Sequence, residues 1–219
     1  MKASFDQFFC ERIARGEMLS PNSIFDRAIE EHLTVVESIY TQRSLLEQIA
    51  VAMTRAVLGG NKVMWCGNGG SAADSQHLAA ELVGRFRRER RGVASVALTT
   101  DTSVLTSIGN DYGYEKVFSR QVEALSSSGD VLVGISTSGN SKNVCLALET
   151  ARQAGVFTVA FTGQGGGAMA KLADAALCIP SKDTARIQEC HILCGHMLCD
   201  WVELSICESA ASGEESATQ

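Results

Sequence analysis

The chain is expected to fold as an α/β protein built on one doubly wound parallel sheet of five strands. Three observations lead there. Five short, mostly apolar runs recur after residue 61, helical patterns fill the gaps between them, and two of the runs end in glycine- or serine-rich turns that open into a helix. Short apolar strands alternating with helices are the pattern of a parallel sheet covered on both faces. In such sheets ligands gather at the C-terminal ends of the strands.

Taken in order, residues 1–21 are mixed and weakly patterned, and form an N-terminal arm. A long helical pattern runs from Ser23 to Leu58, with Ile24, Leu33, Val36, Leu46, Ile49 and Met53 as its apolar stripe. Ser23 can cap its start and Gly59-Gly60 end it. An amphipathic helix of this length packs against a partner subunit or flanks a sheet. Strands are expected at residues 62–66, 94–98, 131–135, 157–161 and 176–179. Helices are expected at 72–86, 102–108, 115–125, 142–154, 167–172 and 184–207. Residues 22–207 thus make one domain, and the small, polar, acidic tail at 208–219 is expected to be disordered.

At 219 residues, with 45% hydrophobic and 20% charged side chains, the chain has the usage of one ordinary globular domain. A net charge of −6 argues against nucleic-acid binding driven by phosphate contacts. Residues 1–10 hold no sustained apolar run, so no secretory leader is expected, and no window reaches the length of a membrane span. A cytoplasmic protein follows. The eight cysteines form no CxxC pair, and Cys66 and Cys178 fall in expected strands. They are expected to be small buried hydrophobes in a reducing compartment.

The chemistry begins where the first strand stops at Gly67-Asn68-Gly69-Gly70-Ser71. Glycines let the backbone approach a ligand closely, and the free N–H groups of a helix start attract anions. The third strand ends in Ser136-Thr137-Ser138-Gly139-Asn140-Ser141, a second cradle rich in hydroxyls. With no lysine in it and no GxxxxGK[ST], it is not a nucleotide P-loop; a hydroxyl-lined nest suits a sugar phosphate. Either turn alone could simply cap its helix. Two of them at the ends of parallel strands favour phosphate binding.

His77 and Glu81 stand four apart and share one face of the helix that follows the first turn. The last helix adds Gln188, Glu189, His191 and His196. Imidazoles, a carboxylate and an amide can bind a borderline metal such as Zn²⁺. Eight residues of helix rise about 12 Å, so Gln188 and His196 cannot grip one ion from one straight helix. Either Gln188 precedes the regular helix, or the two come from different subunits. His191, out of step with His196, is expected to be a packed or interface histidine.

The stretches CGNGGSAADSQHLAAELVGRF, LTTDTSVLTSIGNDYGYEKVFSRQVEAL, GISTSGNSKNV and RIQECHILCGH, in that order, resemble the phosphoheptose isomerase branch of the sugar isomerase (SIS) family over residues 24–207. The resemblance implies a single SIS domain with five parallel strands, assembled as a homotetramer with active sites between subunits. It implies aldose–ketose isomerisation of sedoheptulose 7-phosphate to D-glycero-D-manno-heptose 7-phosphate, towards ADP- or GDP-heptose for bacterial lipopolysaccharide or surface polysaccharide. By position, it implies one zinc per subunit on His77, Glu81, Gln188 and His196. Substrate contacts would be Asn68, Gly69, Gly70, Ser71, Glu81, Arg85, Asn110, Asp111, Ser136, Thr137, Ser138, Ser141 and Gln188. Glu81 and His196 would be the acid/base pair of an enediol mechanism, which requires a base, an acid and a holder of the developing oxyanion.

One departure stands out. Some family members carry Asp before the Arg of RIQE, where this chain has Ala185, so any catalytic help from that carboxylate is absent or is supplied by Asp101, Asp111 or Asp183. The arm before Pro21 is also longer than the family pattern. Two other functions share these motifs: a non-enzymatic relative that binds the bacterial replication initiator, and an isomerase of a different sugar phosphate. In the binding relative, the positions of Glu81 and His196 hold residues that cannot move a proton.

Overall fold

The structure is a computed structural model that describes residues 11–16 and 21–217. Most of the expected N-terminal arm lies outside the described residues; residues 11–14 form one helical turn. Helix α1 (Pro21–Glu37) leads through a 3₁₀ segment (Ser38–Gln42) into α2 (Arg43–Leu58). The sheet then alternates: β1 (Val63–Gly67), α3 (Gly70–Val83), β2 (Ser95–Ala97), α4 (Thr102–Tyr112), a 3₁₀ turn (Tyr114–Lys116), α5 (Ser119–Leu125), β3 (Val131–Ser136), α6 (Lys142–Gln153), β4 (Phe157–Thr162), α7 (Met169–Leu172), β5 (Ala175–Cys178) and α8 (Thr184–Ala217).

All strand pairs are parallel, and the order is β2-β1-β3-β4-β5. The direction of winding reverses at β1 and β3, which puts the crevice of a doubly wound sheet between their C-terminal ends. Period-2 alternation divides the core. Val63, Trp65, Val131, Val133 and Ile135 pack with Ile49, Met53, Leu78, Leu82, Cys194 and Cys199 on one side. Met64, Cys66 and Leu132 pack with Phe118, Val122, Val144, Leu148 and Met169 on the other.

Two expectations about helices need correction. The single helix from Ser23 to Leu58 starts at Pro21, a residue suited to the first helical position, and is interrupted at Ser38–Gln42. There Ser38 Oγ donates to Val35 O at 2.6 Å and Thr41 Oγ1 to Ser38 O at 2.7 Å. Such hydroxyls compete with the backbone ladder and bend it. The tail expected to be disordered from Glu208 is helical as far as Ala217. A helix already nucleated by buried residues extends without a second nucleation step. Gly59 and Gly60 end α2 as expected, with Gly59 N–H donating to Arg55 O at 3.0 Å and Gly60 at φ 81°.

Candidate active site

The turn after β1 is shaped by contacts that leave no room for side chains. Gly69 takes φ 56°, in the left-handed region glycine tolerates. A Cβ on Gly67 would stand 2.8 Å from Ser71, and one on Gly70 would overlap the Gln188 amide. In the turn after β3, Ser136 Oγ lies 2.8 Å from Ser141 Oγ and 3.3 Å from Ser138 Oγ. Gly139, at φ 64°, packs its backbone on Gly166 and Gly167 from the loop after β4. Asn140 Oδ1 accepts from Ala168 N at 3.0 Å, and Met169 N–H donates to Gly139 O at 3.0 Å.

An amide pair ties the two turns together. Asn68 Nδ2 donates to Asn143 Oδ1 at 2.9 Å, and Asn143 Nδ2 returns a bond to Asn68 Oδ1 at 2.8 Å. The Tyr114 hydroxyl donates to Asn68 Oδ1 at 3.2 Å. Nothing in the sequence singled out Asn143; an asparagine at the second position of a helix carries no periodic or motif signal. Gln164, Lys182 and Thr184 were also missed. With Thr137, Ser138 and Ser181 they line a polar cavity of about 240 Å³, so a lysine does stand beside the turn whose own residues include none.

Two helical turns along α3, His77 and Glu81 meet His196 of α8. His77 Nε2 lies 2.8 Å from His196 Nε2 and 3.1 Å from Glu81 Oε1. The Phe86 ring stacks on His196, with centroids 5.3 Å apart and planes 15° from parallel. Burial, together with His77 and Arg87 nearby, outweighs the attraction of Glu81 and lowers the His196 pKa. A neutral imidazole is the metal-binding form. One ligand atom from each of the three residues fits within 4.8 Å of the others. Donors about 2.0–2.1 Å from a tetrahedral Zn²⁺ lie roughly 3.4 Å from one another. The two imidazoles would therefore open by about half an ångström to take the ion. Two imidazoles and a carboxylate suit that metal, and these three ligands from one chain leave a further coordination position open.

The fourth expected ligand is elsewhere in the chain's own fold. Gln188 lies inside α8, which begins at Thr184, and its amide rests against Gly70. The alternative in which Gln188 precedes the regular helix is thereby removed. Among the described residues, Arg85 has an ion pair with Glu89 at 3.6 Å and Asn110 bonds to Asp111 at 2.7 Å, both exposed and neither joined to the histidine group. Asp101 and Asp183, considered as replacements for the carboxylate missing at Ala185, cap helices. Asp101 accepts from Val104 N at 2.9 Å, and Asp183 from Ala185 N at 2.8 Å.

His191 is buried, as expected of a packed histidine; its Nε2 donates to Thr162 O at 3.1 Å and its ring lies against Phe161. A cavity of about 670 Å³ lies at the opposite end of β3 and β4, lined by Glu47, Arg55, Asn61 and Phe157. It holds no imidazole, thiol or hydroxyl-rich turn, so its size does not mark the site.

The sequence profile of the SIS domain matches residues 27–163. The phosphoheptose isomerase of Aquifex aeolicus is 54% identical over 185 residues, covering 84% of this chain and 95% of that protein. That of Akkermansia muciniphila is 58% identical over 161 residues, 74% and 85% of the two chains. The solved phosphoheptose isomerase of Neisseria gonorrhoeae superposes with a TM-score of 0.79 at 44% identity, covering 84% of this chain and 99% of the other.

Proposed function

The chain belongs to the SIS domain family, and from that premise we infer that it is a phosphoheptose isomerase, an aldose–ketose isomerase of sedoheptulose 7-phosphate in heptose biosynthesis. The observation that carries the chemistry is the approach of Glu81 and His196, from different helices, to one histidine. Isomerisation between C1 and C2 moves one proton through an enediol. Glu81 has two oxygens. One faces His77 at 3.1 Å, and the other is left to take the proton. Glu81 returns that proton to the neighbouring carbon, and His196 moves a proton between the two enediol oxygens. His77, Glu81 and His196, with Gln188, would hold a Zn²⁺ that polarises the substrate carbonyl. Arg85, exposed and paired with Glu89 within one chain, would add positive charge for the oxyanion at a site completed between copies.

The phosphate is held by Ser71, Ser136, Thr137, Ser138, Ser141 and the free N–H groups of Gly69 and Gly70. Asn68, Asn110 and Asp111 read the sugar hydroxyls. Fixing the phosphate converts the proton transfer into a positioned, effectively unimolecular step. Gln188 and His196 sit on one continuous helix, separated by about 12 Å of rise. That separation supports a site completed between copies of the chain in a homotetramer. The exposed apolar side chains of Ile24, Phe25, Ile29 and Leu33 on α1, and of Met197, Trp201 and Leu204 on α8, support the same assembly.

A cytoplasmic setting fits free cysteines, among which burial pushes the thiol pKa values of Cys66, Cys194 and Cys199 up to about 12, where they are inert. No described helix is long and apolar enough to cross a membrane. The deciding experiment is turnover of sedoheptulose 7-phosphate by the full chain, zinc-loaded and after chelation, against Glu81→Gln. General acid–base catalysis contributes about 10²–10⁴-fold, so the variant should lose at least a hundredfold in kcat. A wild type no faster than Glu81→Gln refutes the isomerase. Comparing five-, six- and seven-carbon ketose phosphates tests the chain length.

A further inference from the structure

Helix α3 carries His77 and Glu81, and α8 carries His196, so their separation is set by whatever fixes one helix against the other. At one point the contact is direct: Gly195 leaves a notch filled by the Leu78 side chain, and any Cβ there would overlap it. The second point is polar and buried. Glu203, on α8 two turns beyond His196, has no exposed surface. Its carboxylate accepts the backbone N–H groups of Phe86 at 2.9 Å, Arg87 at 2.7 Å and Arg88 at 2.8 Å. The Arg90 side chain, 3% exposed, brings its Nε to 3.3 Å from the same carboxylate.

Arg90 also reaches back to the end of α3. Its guanidinium donates to the carbonyls of Glu81 at 2.9 Å, Leu82 at 2.8 Å and Gly84 at 2.9 Å. Those are the carbonyls a helix C-terminus leaves unpaired, and a cation there also complements the helix dipole. One residue of the strap so formed, Phe86, lies flat on the His196 imidazole. A buried ion pair is weak evidence for stability, since apolar residues of the same volume usually serve as well. What this pair supplies is a fixed path from the backbone of Glu81, through Arg90 and Glu203, to the face of His196.

We propose that Glu203, Arg90 and Phe86 are positioning residues that hold His196 in register with His77 and Glu81, making the metal- and proton-handling group competent without touching substrate. The proposal rests on the isomerase reading of that group. Residues one shell behind metal ligands typically change metal affinity or activity by about 10- to 100-fold, and the phosphate cradle at β1 and β3 is remote from the strap.

The test uses the full chain as wild type, Phe86→Leu, Phe86→Tyr and Glu203→Gln. It measures kcat and KM for sedoheptulose 7-phosphate and, separately, zinc affinity by competition with a chelator. Phe86→Leu and Glu203→Gln should each lower kcat about tenfold or more and weaken zinc about tenfold, with KM within about twofold of wild type. Phe86→Tyr, which keeps the flat ring, should rescue both quantities. The proposal is overturned if Phe86→Leu keeps kcat and zinc affinity within twofold. It is equally overturned if KM rises as much as kcat falls, which would mean general loosening. Should Glu203→Gln fail to fold, the two Phe86 variants decide the matter alone. Should the wild type not turn over the sugar phosphate, the isomerase reading falls, while the zinc competition still decides the strap.

Discussion

Consider lowering the pH on His191. The ring is buried among apolar neighbours, donates one nitrogen to Thr162 O, and leaves Nδ1 without a hydrogen-bond partner. Protonation would put a second N–H, and a charge, where nothing receives them. Burial therefore pulls the pKa from about 6.5 down to about 4, against a small opposing effect of the Thr162 bond. The sign follows from which state binds the proton. The unfolded chain takes it up below about pH 6.5 and the folded chain only near pH 4, so stability is complete above 6.5 and falls as pH falls through that window. At about 1.4 kcal/mol per pH unit, the loss across the whole window is about 3.5 kcal/mol. Urea unfolding at pH 7 and pH 5 should differ by about 2 kcal/mol from this residue alone. His191→Gln, which cannot titrate, should remove most of that difference. An unchanged slope in His191→Gln would refute the assignment.

Two further substitutions test the phosphate end. Gly139→Ala imposes left-handed strain of about 1–2 kcal/mol at φ 64° and drives a methyl into the Gly166 carbonyl; KM should rise about tenfold with kcat within a few-fold, and an unaltered KM would remove the turn from the binding site. Lys182→Met takes a cation from the cavity shared with Thr137 and Ser138. At a partly solvated distance that charge contributes about 1 kcal/mol to a bound phosphate, so KM should rise about fivefold in dilute buffer, and less in 0.5 M salt. An effect equal at both salt concentrations would show that Lys182 acts by packing and not by charge.

What the sequence could reveal divides along a physical line. Parallel strands and the turns that follow them are local: period 2, then glycine or serine, then period 3.6, all within about a dozen residues. Gly69 and Ser136 were therefore legible, as was the crevice between β1 and β3. The i,i+4 spacing of His77 and Glu81 was equally local, and the helical rise between Gln188 and His196 was enough to predict that they could not meet on one helix. The interruption at Ser38–Gln42 was not legible, because its hydroxyl-to-carbonyl bonds leave the apolar spacing of the flanking helices undisturbed. Nor was the strap, whose Phe86 and Glu203 are 117 positions apart. A glutamate in a helix and an arginine in the run RFRRERR look like solvated surface, and only the fold shows that they are buried against each other. Local pattern thus reveals which groups can bind and react. How firmly they are held together depends on long-range polar contacts, and there the proposed metal- and proton-handling group at His77, Glu81 and His196 is most open to disruption by residues that never reach the sugar.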